Sequence, residues 1–129
     1  MKMLVILSHE LLEEQIKEAN EKLNVDLIVE IPSELKKIWG NISPEGPFPV
    51  DLVEKIIKWI NENAKEEDYV LVQGDFGATY YVVDYCIKSG RVPIYATTNR
   101  EVEERIENGV TRIERVFRHV NFRKYLPYK

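Results

Sequence analysis

The sequence has few of the residues that form disulfide bonds or bind metal ions in a small domain. Among its 129 residues it has one cysteine, Cys86, and two histidines, His9 and His119. A single cysteine excludes an intramolecular disulfide and a thiolate metal cluster within one chain. Two histidines do not by themselves supply a dedicated zinc site. We therefore expect no metal and no cofactor.

Long apolar runs are missing as well. The first run, Met3–Leu7, is far shorter than the ~18 residues that a membrane-spanning helix needs, and no small-residue cleavage site of a signal peptide follows it. With 44% hydrophobic and 31% charged residues, the chain has the composition of a globular domain. We expect a cytoplasmic protein with a single domain over residues 1–129.

Acidic side chains are scarce at the end of the chain, so the net charge is distributed unequally. The formal net charge is −4. Residues 112–129 hold six basic side chains against Glu114 alone, which gives this segment +5 and leaves −9 on the rest. Proteins that bind long nucleic acids are more often basic overall. A basic end on an acidic body favours a small anionic ligand or a contact between copies of the chain, although a solvated basic strand explains it equally well.

Apolar periodicity predicts strands that alternate with helices. Four apolar runs predict strands, at Met3–Leu7, Val25–Ile31, Tyr69–Gln73 and Val92–Thr97. Asn108-Gly109 then predicts a tight hairpin, because a type I′ turn needs positive φ at both positions. This order predicts a Rossmann-like α/β fold, a three-layer sandwich around a parallel sheet, with a C-terminal hairpin over 101–123 added at an edge.

Polar residues follow the predicted strands at their carboxyl ends. Ligands of open parallel sheets bind outside these ends, where the strand order reverses. Ser8 and His9 follow the first strand, and Gly74 and Asp75 follow the third. Because strand ends lie at the surface in any protein, polarity alone does not distinguish a site.

The segment 73–79, QGDFGAT, predicts a turn from the third strand into a helix. Its small residues let a ligand approach the free N–H groups of the first helical turn, where the dipole favours phosphate. It is neither a Walker loop nor GxGxxG. Asp75 is either a plain N-cap or a group that orients a donor or accepts a proton. The candidate ligand contacts in this segment are Gln73, Gly74, Phe76, Gly77 and Thr79.

Two later segments carry cations and hydroxyls. Thr97, Thr98 and Arg100 can hold a phosphodiester, unless Arg100 pairs with a neighbouring glutamate. Arg118 and His119 lie among aromatic residues, a pattern that suits nucleotides. They face opposite sides of a strand, so only one can point into a given site unless a bulge intervenes. His119 is a candidate acid or base, a buried structural histidine being the alternative, and His9 is the other candidate.

Four segments together resemble a known family over Met3–Tyr125: LSHEL at 7–11, YVLVQGDFGATY at 69–80, VPIYATTNR at 92–100 and FRHVNFRKY at 117–125. They are similar to the Csx-type stand-alone ring nucleases of type III CRISPR systems. The resemblance implies a CARF-related fold, a symmetric homodimer, and cyclic tetra-adenylate as the ligand. It also implies an activity that linearises this ring and so switches off the antiviral signal.

The implied reaction needs no metal, because the ribose 2′-hydroxyl attacks the adjacent phosphate. The protein must hold the reacting atoms in line and stabilise the developing charge. The candidate catalytic residues are Arg100, Thr98, His119 and Asp75. The candidate ligand contacts are Ser8, His9, Gln73, Gly74, Phe76, Gly77, Thr79, Thr97 and Arg118. The alternative is a non-catalytic sensor or sponge of the same ligand; an RNA-binding module and an unrelated flavodoxin-like enzyme are further hypotheses. No membrane and no stable long nucleic acid are expected as partners.

Overall fold

A five-stranded mixed sheet organises the computed structural model, which describes residues 1–129. The strands are β1 (Lys2–Ile6), β2 (Leu27–Glu30), β3 (Tyr69–Val72), β4 (Val92–Glu107) and β5 (Val110–Lys124). The helices are α1 (Glu13–Lys22), α2 (Ser33–Gly40), α3 (Val50–Asn63) and α4 (Phe76–Lys88). The strand order is β2-β1-β3-β4-β5, with β5 antiparallel to β4 and the other pairs parallel. No helix combines the length and the apolarity needed to cross a membrane.

The two faces of the sheet are covered unequally. Side chains alternate along β1, so Leu4 and Ile6 enter a cluster of 15 buried residues with α2, α3 and α4. Met3 and Val5 enter a smaller cluster of 8 buried residues on the face that α1 covers. Burial on both faces explains why β1 is a continuous apolar run in the sequence.

The predicted Rossmann-like, CARF-related three-layer sandwich around a parallel sheet is wrong. The sheet is mixed and curls into a half-barrel, and β4 and β5 are its longest strands, with 16 and 15 residues. The sequence prediction ended the fourth strand at Thr97, where polar residues begin. In the structure β4 continues to Glu107, because a strand with solvent on both sides accepts polar residues at every position.

Beyond the body of the domain, β4 and β5 form a two-stranded arm, which we define as residues 98–119. β4 pairs with β3 only as far as Ile94, so the arm has no third strand. Thr97 pairs with Asn121 and Thr98 with His119, which leaves Val120 as the extra residue of a bulge. The turn at the tip has φ of 51° at Asn108 and 76° at Gly109, the positive values that a type I′ turn requires.

Candidate functional site

The carboxyl ends of β1 and β3 lie side by side, which brings Ser8 and Gln73 to one edge of the sheet. The Gln73 backbone N–H donates to Ile6 O at 3.2 Å. The Gln73 side chain extends toward β4, where its Oε1 accepts from the Ala96 N–H at 2.8 Å. Gln73 therefore ties β4 to β3 just beyond their last main-chain pairing.

Gly74 makes room for a tryptophan at the same edge. A Cβ at position 74 would lie 2.6 Å from Trp39 Nε1, closer than any real contact. Trp39 Nε1 donates to Gln73 O at 2.9 Å, and the indole is buried. The end of α2 thus packs over the strand ends and fills part of the crevice that the sequence assigned to a ligand.

The first turn of α4 offers free hydrogen-bond donors. Asp75 is the N-cap, and its Oδ2 accepts from the Ala78 N–H at 3.0 Å. The N–H groups of Phe76 and Gly77 donate to no acceptor within the chain, and both residues are exposed. Since the positive end of the helix dipole lies at the same place, this turn can bind an anion.

An aromatic groove of about 580 Å³ begins at this turn and runs between α4 and the C-terminal residues 125–128. The side chains of Phe76, Tyr80 and Tyr128 line it and are 96%, 75% and 102% exposed. The Tyr125 hydroxyl donates to Val72 O at 2.7 Å and holds the C-terminal segment against β3; burial raises the pKa of Tyr125. Thr79 also lines the groove, but its hydroxyl oxygen is buried and has no hydrogen-bond partner.

A second depression, of about 400 Å³, lies at the ends of β1 and β2. It contains Ser8, Ser33 and two lysines of α2, Lys36 and Lys37, neither of which forms an ion pair within the chain. Sequence reasoning missed these lysines, as it missed Tyr80 and Tyr128. The Lys-Lys pair follows a predicted strand end by one helical turn, but only the fold places it beside Ser8.

His9 is exposed at the same edge as Ser8. Its Nδ1 lies 3.1 Å from the backbone oxygen of Glu10. Of the two histidines, His9 is the one whose side chain is accessible to a ligand at the carboxyl ends of the strands.

His119 lies elsewhere, buried against α1. Its Nε2 is 2.6 Å from Glu18 Oε1, and the two side chains are 3% and 10% exposed. Glu18 Oε2 also accepts from the Phe122 N–H at 2.9 Å. Because His119 Nδ1 is buried without a partner, the tautomer that satisfies this arrangement carries its proton on Nε2. The structure therefore gives His119 the structural environment that was the alternative to a catalytic one.

Arg118 and Arg100 lie on opposite faces of the arm. Arg118 pairs with Glu103 at 3.0 Å and Glu101 at 3.5 Å, and these carboxylates raise the pKa of its guanidinium. Arg100 lies over the ring of Phe117, 5.5 Å from its centroid. Neither guanidinium contacts the first turn of α4.

Thr97 and Thr98 also lie apart from the first turn of α4. The Thr97 hydroxyl is 2.7 Å from Asn121 Oδ1 and bridges β4 to β5. Thr98 is exposed and pairs with His119 across the strands. The structure thus puts Ser8, His9 and the residues from Gln73 to Thr79 at the same edge of the sheet, although Ser8 lines the second depression and Phe76 and Thr79 line the groove. The arm residues lie apart from both.

Comparison with known proteins places this arrangement in a family. The family model described as "Uncharacterized protein MJ1673 family" matches residues 1–123. The protein described as "Uncharacterized protein MJ1673" of Methanocaldococcus jannaschii is 40% identical over 127 residues, which cover 98% of each chain. No solved structure matches significantly. Since the family match includes the strands, α4 and the whole arm, the chain belongs to the MJ1673 family.

Proposed function

We propose that the protein binds cyclic tetra-adenylate at the first turn of α4 and linearises it, as a metal-independent ring nuclease that switches off type III CRISPR signalling. The observation that carries the proposal is Phe76. Its backbone N–H is free at a helix N-terminus, and its ring is 96% exposed at the mouth of the aromatic groove. One residue thus offers a donor to a phosphate and a stacking surface to a base. The proposal keeps the cytoplasmic location expected from the sequence.

The bound ligand would be held by donors at its phosphates and by rings at its bases. The N–H groups of Phe76 and Gly77 bind one phosphate, and the hydroxyl of Ser8 lies at the neighbouring strand end. Adenine rings stack on Phe76, Tyr80 and Tyr128, because every base offers a π face.

The chemistry is an in-line displacement at phosphorus. The 2′-oxygen of a ribose attacks the adjacent phosphate, and the bond from phosphorus to the 5′-oxygen breaks. The products carry a 2′,3′-cyclic phosphate and a 5′-hydroxyl. Of the two histidines, His9 is the one at the binding edge, so we assign to it the removal of the proton from the 2′-hydroxyl and the return of a proton to the departing 5′-oxygen. Phe76 and Gly77 donate to the oxygens on which charge develops.

A non-catalytic sponge for the same ligand is the second candidate. Two observations favour it: the Asp75 carboxylate is engaged as a helix cap, and His119 is buried against Glu18. Asp75 and His119 were two of the four predicted catalytic residues. A protein that binds the ring without these groups can still sequester it.

Labelled cyclic tetra-adenylate distinguishes these functions. The ligand is incubated with the purified protein, with and without a chelator, and the products are separated by chromatography. A linear product ending in a 2′,3′-cyclic phosphate, formed equally with chelator, supports the nuclease. Intact ligand that stays bound supports the sponge, and the absence of binding overturns both.

Two pairs of variants locate the site. Gly77→Asp suits a helix N-terminus but sets a negative charge beside the bound phosphate, so binding should weaken by about tenfold or more, with a smaller loss in the neutral Gly77→Asn. Tyr80→Ala should weaken binding by roughly 5- to 100-fold, the worth of one stacked base. Tyr81→Phe is the matched control, because Tyr81 packs on Phe48 outside the groove. Unchanged binding in Gly77→Asp and Tyr80→Ala would place the ligand elsewhere.

A further inference from the structure

The arm has two faces of different character. Contacts of Arg118 with Glu101 and Glu103, and of Arg100 with Phe117, establish which side chains share a face. The face that we call ion-paired contains Glu101, Glu103, Arg105, Glu107, Arg112, Glu114 and Arg118, together with Asn99, Val110 and Val116. The face that we call apolar contains Arg100, Val102, Glu104, Ile106, Thr111, Ile113, Arg115 and Phe117.

Every charged side chain of the ion-paired face has a partner within the arm. Arg118 contacts two glutamates, and the other N–O distances are 3.7 Å for Arg112–Glu107 and 3.8 Å for Arg105–Glu114. The charges of this face are therefore all paired within one copy of the chain, and the face is suited to contact with water.

The apolar face, in contrast, has large apolar side chains that nothing in the same chain covers. Val102, Ile106, Ile113 and Phe117 are 64%, 79%, 67% and 56% exposed. A contiguous exposed apolar patch marks an interaction surface. A two-stranded ribbon is also marginally stable in water unless an apolar face is covered. The arm therefore needs an occupant on this side.

The charges on the apolar face indicate what the occupant is. Arg100, Glu104 and Arg115 form no ion pair within the chain. Both signs are present, which a polyanion or an anionic membrane would not complement. The occupant must itself carry apolar side chains and charges of both signs.

A second copy of the arm meets this requirement. From base to tip the face has four cross-strand rows: Arg100–Phe117, Val102–Arg115, Glu104–Ile113 and Ile106–Thr111. A two-fold axis between the second and third rows lays each row on one that complements it. Glu104 of one copy then comes within reach of Arg115 of the other, twice by symmetry, and the Phe117 row covers the Ile106 row.

A homodimer is already implied by the resemblance; we propose that its interface is formed by the apolar faces of the two arms, packed against each other in antiparallel orientation. The inference does not rest on the proposed function, because it involves no ligand.

Sedimentation of the full chain, without ligand, tests the dimer. Wild type should be a dimer at roughly 100 µM, well above the Kd of a weak specific interface. Ile106→Lys should raise the dissociation constant by about 10²-fold or more, because it buries an unpaired charge. Val110→Lys is the matched control: Val110 is 60% exposed near the same tip but lies on the other face, so the dimer should persist.

A charge exchange tests the orientation. Glu104→Arg and Arg115→Glu should each weaken the dimer by about tenfold or more through like-charge contacts, and the double variant should restore it. A monomeric wild type, or a dimer that Ile106→Lys leaves intact, overturns the interface. Failure of the double variant to restore the dimer overturns the antiparallel packing. Far-ultraviolet circular dichroism checks that each variant keeps its fold.

Discussion

The body of the domain and its arm treat apolar side chains in opposite ways. In the body, Leu4 and Ile6 are fully buried between the sheet and its helices, whereas Ile106 on the arm is 79% exposed. Charged groups show the reverse: those on one face of the arm form a continuous set of ion pairs. The body is therefore stabilised by its own buried core, whereas the arm has no core of its own and, in the interface that we propose, is covered by a second chain. Each can therefore be perturbed separately.

The largest effect is expected in the body, at Trp39. Trp39→Ala removes a buried indole and its hydrogen bond to Gln73, and it should lower the free energy of unfolding by about 3–5 kcal/mol. Chemical denaturation measures the loss. The proposed dimer contact of the remaining folded protein should be unchanged, because Trp39 forms no hydrogen bond with a residue of the arm.

Gly74→Ala provides the control for Trp39. In the wild type its methyl group would clash with the indole and cost roughly 1–3 kcal/mol. In the Trp39→Ala background the same substitution should cost almost nothing, because the clashing ring is gone. Equal costs in both backgrounds would show that the glycine serves another purpose.

The sequence predicted single elements better than their assembly. The buried run of β1 and the turn at Asn108 are local signals, carried by burial on two faces and by positive φ. The sheet class depends on how far β4 extends, and Thr98 to Arg100 are equally compatible with a loop and with a solvated strand. Likewise, Asp75 and Phe76 could be placed at a helix start from the sequence alone. The partner of His119 could not, because Glu18 is 101 residues away in the chain.

The junction between body and arm should show the second-largest effect. Glu18 accepts from both His119 and Phe122, and Glu18→Gln keeps the shape but replaces one acceptor oxygen by a donor. We expect a loss of about 1–3 kcal/mol, the cost of one unsatisfied buried group. Hydrogen exchange should accelerate at Phe122 while the amides of β1 stay protected. Glu21→Gln, on an exposed position of the same helix, should change neither quantity.

Alkaline pH should weaken the body through Cys86. Burial raises the pKa of its thiol from 9.0 to about 12. Above pH 9 the unfolded chain loses this proton and the folded chain keeps it, so stability falls as pH rises from 9 toward 12. At pH 10 this difference in pKa lowers the free energy of unfolding by about 1.4 kcal/mol. Denaturation of wild type and Cys86→Ala at pH 8 and pH 10 isolates it, and parallel losses in the two proteins would refute the assignment.

The smallest effect belongs to the ion pairs of the arm. Glu103→Gln removes one of the two carboxylates on Arg118, and exposed pairs of this kind contribute less than about 1 kcal/mol. The loss should shrink further in high salt. A loss above that of Glu18→Gln would mean that the arm, rather than the body, limits stability.

The two oxygens of Glu18 grip β5 on both sides of the extra residue, Val120. These two contacts consequently fix the register of β5 relative to β4. If β5 slipped along β4 by a single residue, the apolar and charged side chains of β5 would exchange sides while those of β4 stayed in place, since neighbouring side chains in a strand point to opposite sides. One carboxylate at the root thus keeps the apolar side chains of both strands on the same side of a hairpin more than twenty residues long.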